Sequence, residues 1–354
     1  MQYNILVINL GSTSTKAALY KNSNSLVNQT LKHPASETVK PLPEQIEYRL
    51  EAILEFLEKQ KFDPSNIDIV SARGGLLKPI EGGTYNINQA MVDDLLENRY
   101  GRHASNMSAL IADRFRRKYG CQAVITDPVV IDELIDEVRM TGLKGIERKS
   151  VFHALNQKAV ARKYSESINK KYEETNVIIC HMGGGITVGA HRKGRVIDVN
   201  DGLSGEGPMS PNRTGSLPNG AFVKYVIDHE LDYETVFEII TKEGGFMSLA
   251  DTQDALELEK LALAGDENAK SIFEALAVQI SKEIGSRSAI LKGEVDQIIF
   301  TGGLAYSKYL LDLIKPYISF IAPVTDYPGE EEMEALAEGA YRVISGEESM
   351  KTYV

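Results

Sequence analysis

The chain has 354 residues, 43% of them hydrophobic and 25% charged, with a formal net charge of −11. That length can bury two substantial cores, and an acidic chain without polybasic or low-complexity segments is no broad binder of nucleic acid, so an anionic substrate needs a local arginine pocket. Met1-Gln-Tyr-Asn4 lacks the basic start of a signal peptide and no apolar run is long enough for a bilayer, so a cytoplasmic protein without a membrane partner is expected. Cys121 and Cys180 have no CxxC spacing and read as buried thiols, neither a metal site nor a disulfide.

Ile5 to Tyr20 reads as two apolar strands joined by a tight, hydroxyl-rich turn. Gly11 is expected to let the backbone turn sharply, and Ser12, Thr13 and Ser14 offer amides and hydroxyls to phosphate oxygens, with Lys16 adding charge. A Walker loop would need a second Gly before the Lys and then a helix, whereas Ala17 to Tyr20 continues as a strand. Ser25 to His33 is a third strand. A helix then starts at Pro43, with Ile46, Leu50, Ile53, Leu54 and Leu57 on one face. The run Ile67 to Ser71 is a strand with Arg73-Gly74-Gly75 at its end, where ligands collect in α/β sheets. Helices follow at 89–99 and 105–119, then a strand at 122–126 ending in Asp127-Pro128.

The pattern recurs in the second half. After a helix from about Phe152, Val177 to Ala190 is again strand, glycine turn (Gly183-Gly184-Gly185) and strand, and Arg195 to Val199 supplies a third strand. Two duplicated β-meander domains are expected, over 1–150 (completed by about 335–354) and 151–334. Long helices are expected at 220–241 and 268–292. Ile298 to Ala305 is a buried strand whose Gly302-Gly303 turn opens a helix through Leu313, suited to holding a nucleotide.

The segments Val7-Ile-Asn9-Leu-Gly11-Ser, Arg73-Gly-Gly75, Phe152-His153, His181-Met-Gly-Gly-Gly185 and above all Asp201-Gly-Leu-Ser-Gly-Glu206-Gly-Pro-Met-Ser-Pro211-Asn-Arg213-Thr-Gly215 give the chain a resemblance, end to end, to the acetate kinase family of the actin, Hsp70 and sugar kinase superfamily. The resemblance implies an α/β fold of two ribonuclease-H-like domains flanking a nucleotide cleft. It also implies reversible, direct in-line phosphoryl transfer between ATP and a short-chain carboxylate through an acyl phosphate. Chain length and the Glu206 to Pro211 loop favour a four-carbon acid, read as butyrate, over propionate or acetate, with branched-chain isobutyrate as an open alternative. An ATP-driven switch of the actin or Hsp70 kind is the non-enzymatic alternative.

Such a transfer needs no base, because a carboxylate is ionised at neutral pH; what it needs is positioning and neutralisation of charge. Arg213, in a Gly- and Pro-rich loop, is implied to cradle the phosphoryl oxygens opposite Arg73, for which a structural role is the competing reading. His153 is expected at a helix amino end as a hydrogen-bond donor to the phosphoryl, with capping as its alternative. Asp127 is implied to orient an Arg or a metal-bound water. Asn9 stands where relatives in the superfamily carry Asp, keeping an oxygen for the metal while removing a charge. His103 and Asn106 are candidate substrate contacts, and His181 either contacts phosphate or packs as a neutral core residue. Magnesium is the implied cofactor, with ATP or ADP as co-substrate; Glu331 of the run Glu330-Glu331-Glu332 is the implied metal-associated carboxylate. A homodimer or an assembly of dimers is implied too, and Ile272 to Ile280, apolar on more than one helical face, is a candidate surface for it.

Overall fold

The computed structural model describes all 354 residues. Its strands are β1 (Asn4–Leu10), β2 (Ser14–Lys21), β3 (Asn24–Lys32), β4 (Ile69–Ala72), β5 (Thr84–Asn86), β6 (Gln122–Thr126), β7 (Asn176–Met182), β8 (Ile186–Arg192), β9 (Arg195–Val199), β10 (Gln297–Gly302), β11 (Val324–Pro328) and β12 (Lys351–Thr352). They form one sheet ordered β12-β5-β6-β4-β1-β2-β3 and another ordered β11-β10-β7-β8-β9. In the first, β1-β2-β3 is an antiparallel meander and β4 and β6 join in parallel. In the second, β7-β8-β9 is the meander and β10 and β11 are the parallel pair. The order β6-β4-β1-β2-β3 in the first sheet thus recurs as β11-β10-β7-β8-β9 in the second, as the duplicated ribonuclease-H-like reading requires, with β5 and β12 added at the edge of the first.

Met1–Ile131 with Glu331–Val354 forms one compact unit and Asp132–Glu330 the other. The chain leaves the first unit at Ile131 rather than near Ser150, because the intervening segment is tied to the second sheet. Glu133 Oε2 accepts from the Val196 amide at 2.7 Å, the Ile135 amide donates to Ile197 O at 3.1 Å, and Arg148 Nη1 reaches Asp198 Oδ1 at 2.8 Å.

Period-2 alternation sorts the central strands between two layers. In β1, Leu6, Ile8 and Leu10 enter one core, together with Ile46, Leu50, Ile53, Phe56 and Leu57 of the helix Leu42–Lys59. Leu54 packs against that core only partly buried. Ile5 and Val7 are buried on the opposite face, where the helix Glu332–Ser345 packs on β1 and β4. In the second unit, Ile178, Cys180 and Met182 share a core with the helix Glu267–Ile290, while Val177 and Ile179 meet Val160 and Ala161 of the helix Ala154–Ser167.

Two expectations change. The helix expected over 220–241 is broken into Asn219–Asp228 and Tyr233–Glu238, because Glu230 turns to a φ of 52° and Asp232 restarts the helix by accepting the Thr235 amide. Ile272, Phe273, Leu276, Ala277 and Ile280 are buried within the second unit's own core, so their apolar faces argue for no interface. Both cysteines are free and buried, as expected, and burial pushes the Cys180 thiol far up.

Asp198 is 1% exposed and sits between Arg148 Nη1 at 2.8 Å and Arg287 Nη1 at 2.5 Å. Removing one partner of such a group strands the other charges away from water. Asp198→Ala is expected to destabilise the protein by about 3 to 5 kcal/mol in denaturant unfolding, and an unchanged midpoint would contradict this account.

Candidate active site

In the first unit, the β1–β2 turn is held from below by a cation. Arg49, 1% exposed, lies on the apolar face of the 42–59 helix. Its Nη2 donates to Ser12 O at 2.8 Å, and its Nη1 to Ser14 O at 3.0 Å and Thr15 Oγ1 at 3.2 Å. The Thr13 carbonyl accepts the His33 amide at 2.9 Å, and the Gly11 amide closes the turn onto Ser14 O at 2.9 Å. With the carbonyls drawn into the fold, the Ser12 and Thr13 amides have no acceptor within the protein, and both side chains are exposed. The turn thus presents two free amide donors, the geometry that an anion-binding turn requires. Gly11 plays a smaller part than expected: a Cβ there would meet nothing closer than 3.7 Å, so the turn's shape comes from Arg49 and not from glycine's freedom. Burial lowers the Arg49 pKa below the ordinary arginine value, and the guanidinium has no carboxylate partner.

Lys16 is exposed and stands directly across the β1–β2 ladder from Asn9, so the two share a sheet face. The Asn9 side chain is buried; its Nδ2 donates to Glu332 Oε2 at 2.7 Å, and its Oδ1 accepts from Arg73 Nη1 at 3.4 Å. Arg73 Nη2 lies 3.5 Å from Glu332 Oε1. The carboxylate that meets Asn9 is therefore Glu332, the first residue of its helix, and not Glu331, which is the exposed residue at the N-cap position.

The paired glycines after Arg73 serve packing. A Cβ on Gly74 would lie 2.6 Å from Pro128 Cβ, and one on Gly75 2.7 Å from Asn106 Cα. Asn106, 1% exposed, is occupied in the same corner: its Oδ1 accepts the Leu76 amide at 2.8 Å, and its Nδ2 donates to Gly101 O at 3.0 Å and Asn98 Oδ1 at 3.2 Å. Its oxygen is thus committed to the loop that carries Arg73 and its nitrogen to the 98–101 connection, which makes it a staple between the two instead of a substrate contact. His103 is exposed and pairs through Nδ1 with Ser105 Oγ at 2.8 Å; partial desolvation and then the charge of Arg73 lower its pKa. Asp127 is fully buried at a φ of 40°, and its Oδ1 accepts the Gly83 amide at 2.7 Å.

In the second unit, the Gly183 amide donates to Gly185 O at 3.0 Å and Ser210 Oγ to Gly184 O at 2.6 Å, which closes the β7–β8 turn. The Arg213 guanidinium lies against Gly185, where any Cβ would overlap its Nη1. That Nη1 donates to Gly202 O, while Nε is buried with no acceptor. Desolvation lowers the Arg213 pKa, with Asp201 acting the other way. The loop bearing Arg213 is braced internally: Asp201 Oδ1 accepts the Leu203 and Ser204 amides at 2.8 and 3.0 Å, and Glu206 Oε2 accepts the Asp201 amide at 3.1 Å and an Arg148 contact at 3.2 Å.

His181 is buried at the end of β7, with Nδ1 2.8 Å from Asn156 Oδ1 and Nε2 3.0 Å from Glu330 Oε1. His153 occupies the N-cap position of the 154–167 helix without a capping bond from its side chain. Its ring stacks on His181 with centroids 3.7 Å apart, and its Nδ1 is 2.9 Å from Thr187 Oγ1. Gly302 has a φ of 86° and exchanges amide bonds with Gly329 at 3.1 and 3.0 Å; a Cβ there would strike the Met182 backbone. Gly303 opens a single helical turn, and the helix Lys308–Ile318 follows.

Within the first unit the structure therefore gathers Asn9, Arg73 and Glu332, with Lys16 on the sheet face of Asn9 and the Ser12-Thr13 turn one step along β1. Within the second it gathers Arg213 with the Gly183 to Gly185 turn, and His153 with His181. Sequence reasoning missed Arg49, Ser210, Thr187 and Asn156, and within the run 330–332 it favoured Glu331 where its neighbour Glu332 meets Asn9. Arg49 alone left a readable signal, a charged residue within the apolar stripe of Ile46, Leu50 and Ile53.

Residues 139–321 match the profile of the acetokinase family. The chain is 47% identical over 355 residues to butyrate kinase 2 of Clostridium acetobutylicum, covering 100% of both. Among solved structures, the acetate kinase of Porphyromonas gingivalis aligns over 97% of this chain and 100% of its own, with a TM-score of 0.77 at 20% identity. A propionate kinase from Francisella tularensis aligns over 95% and 98%, with a TM-score of 0.72 at 17% identity, and these two likenesses bear on the fold alone. With a twice-repeated meander sheet of the actin-like kind and a relative matching it end to end, the chain belongs to the acetokinase family of carboxylate kinases.

Proposed function

We propose that the protein transfers a phosphoryl group reversibly between ATP and a short-chain carboxylate, with butyrate as the preferred acid and an acyl phosphate as the product. The observation that carries the proposal is Arg213: a partly desolvated guanidinium, tied to one carbonyl, seated on a glycine turn, with a buried Nε awaiting an acceptor. Butyrate is favoured by the identity to a protein named as a butyrate kinase. Because one methylene is worth only ~1 to 3 kcal/mol in an apolar pocket, propionate belongs to the same substrate class, as does isobutyrate, an isomer of butyrate with the same carbon count.

The substrate carboxylate is already ionised and attacks phosphorus without a base. The protein's part is to hold charge. Arg73 and Arg213 each offer a cation suited to phosphoryl or carboxylate oxygens, and His153 offers a hydrogen bond. The Ser12 and Thr13 amides, with Lys16 and the buried charge of Arg49, suit phosphate oxygens; the turns at Gly183 to Gly185 and at Gly302-Gly303 suit the nucleotide. Asp127 stabilises the corner against which the Arg73 loop packs.

No group of three or more ligating side chains is present. One carboxylate, Glu332, beside the Asn9 amide fits magnesium, which keeps its waters and binds mainly through substrate phosphates. Bound there, the ion would neutralise charge on the phosphoryl oxygens. Cytoplasmic residence and pairing into dimers belong to the same proposal; no helix is long and apolar enough to cross a membrane.

The deciding assay mixes protein, ATP, magnesium and hydroxylamine with a panel of short acids. Hydroxamate is expected, most rapidly with butyrate; ATP hydrolysis without hydroxamate would point to an ATP-driven switch instead. Arg213→Ala is expected to keep its fold by circular dichroism and lose roughly 3 to 4 kcal/mol of transition-state stabilisation, a fall in kcat of several hundredfold. A kcat within a few-fold of the parent protein would remove Arg213 from the chemistry. Asn9→Asp would set a second carboxylate against Glu332, so that one of the pair holds a proton at higher pH than usual. Its kcat is expected to drop about tenfold or more above that pKa and to recover as pH falls. A pH profile parallel to that of the parent would contradict this reading of Asn9.

A further inference from the structure

The protonation of His153 can be worked out from its neighbours, beginning at an atom that has no choice. The Thr187 carbonyl only accepts, and Gln157 Nε2 lies 3.1 Å from it, so the nitrogen end of the Gln157 amide faces Thr187. The same nitrogen is 2.9 Å from Thr187 Oγ1 and places its second hydrogen there. The oxygen end must then accept from His191 Nε2 at 2.9 Å, which leaves His191 Nδ1 to accept from the Tyr172 hydroxyl at 2.7 Å. Every donor in this buried chain meets an acceptor.

One hydrogen remains to be placed, on the hydroxyl of Thr187, a residue with 0% exposure. Its Oγ1 already receives a hydrogen from Gln157, and the acceptor within reach is His153 Nδ1 at 2.9 Å. Were Nδ1 protonated, both partners would donate to Thr187 and its own hydrogen would be buried without an acceptor, the costly case. The proton of His153 therefore sits on Nε2. Packing keeps the chain in place: a Cβ on Gly189 would overlap Gln157 Oε1 and lie 3.0 Å from His191 Nε2. The stack on His181, 12° from parallel, fixes the ring plane.

We propose that Thr187 and Gln157 are positioning residues that lock His153 as the neutral Nε2–H tautomer, which makes it a fixed hydrogen-bond donor toward an anion and denies it the role of proton acceptor. Its use toward the transferring phosphoryl rests on the function proposed above.

Long-range 1H–15N correlation spectra of the full chain, labelled at histidine nitrogens and free of ligand, test the lock, with the His153 signal assigned by its loss in His153→Asn. The expected result is a single Nε2–H tautomer for His153. Thr187→Val, which keeps the shape and removes the hydroxyl, is expected to give mixed tautomers and a kcat lowered by about tenfold or more at unchanged KM, with Thr187→Ser restoring both. An Nδ1–H tautomer in the parent protein, or an unaltered tautomer and kcat in Thr187→Val, overturns the proposal. If Thr187→Val fails to fold, the parent spectrum still decides. A protein with the Nε2–H signature and no hydroxamate activity would sink the phosphoryl-transfer reading and uphold the lock; an active enzyme with the opposite tautomer would sink the lock alone.

Discussion

Positive charge held away from water without a matching carboxylate is the constraint on which the candidate site of each unit depends. A buried guanidinium is costly unless its hydrogens find acceptors, and neither Arg49 nor Arg213 solves this with an ion pair. Arg49 gives its hydrogens to the Ser12 and Ser14 carbonyls and the Thr15 hydroxyl, and Arg213 gives Nη1 to the Gly202 carbonyl. Carbonyls satisfy hydrogen bonds but leave the charge uncancelled. An anion arriving at either turn would therefore meet a cation already desolvated on folding, fully for Arg49 and in part for Arg213, which is how preorganised electrostatics favours charge that develops during transfer.

The same constraint explains what surrounds each cation. Drawing the carbonyls of residues 12–14 inward leaves the Ser12 and Thr13 amides unpaired at the turn. Seating Arg213 on the β7–β8 turn requires that Gly185 have no side chain. The loop carrying Arg213 is in turn braced by Glu206 and Arg148, and Arg148 ends on Asp198, which Arg287 also grips. Arg213 is thus linked through hydrogen bonds to the centre of the second unit's core, and such bracing keeps a cation from collapsing onto whichever carboxylate is nearest.

Asn9 shows how one amide can serve opposite needs. Its oxygen faces Arg73 and its nitrogen faces Glu332, so a neutral side chain bonds to both members of an ion pair that also meets directly at 3.5 Å. A carboxylate at this position could satisfy Arg73 but would repel Glu332. The preference for Asn follows from its neighbour in the helix at 332–345, as well as from the charge of any substrate.

Much was legible in the residues themselves. Period-2 hydrophobicity and the glycine turns marked both hairpins, their third strands and the strand before Gly302, because local backbone preference and alternation act over a few residues. Arg213 stood out because a loop of glycine and proline offers a long cation no helical face. What lay beyond reach was any fact about which distant groups meet. Glu331 and Glu332 are chemically alike, and only the helix phase, set by packing on β1 and β4, turns Glu332 toward Asn9. Asn106 carries no mark of being a staple until Leu76, Asn98 and Gly101 are seen to use up its amide. The segment Ile272 to Ile280 is apolar on two faces whether it meets a partner or its own core, and the second unit's packing decided for the core. Sequence alone determined the two meanders, the duplication and the chemical types at the turns, since these depend on local pattern; the pairing of charges and amides was decided by tertiary structure, since it depends on residues up to 323 positions apart.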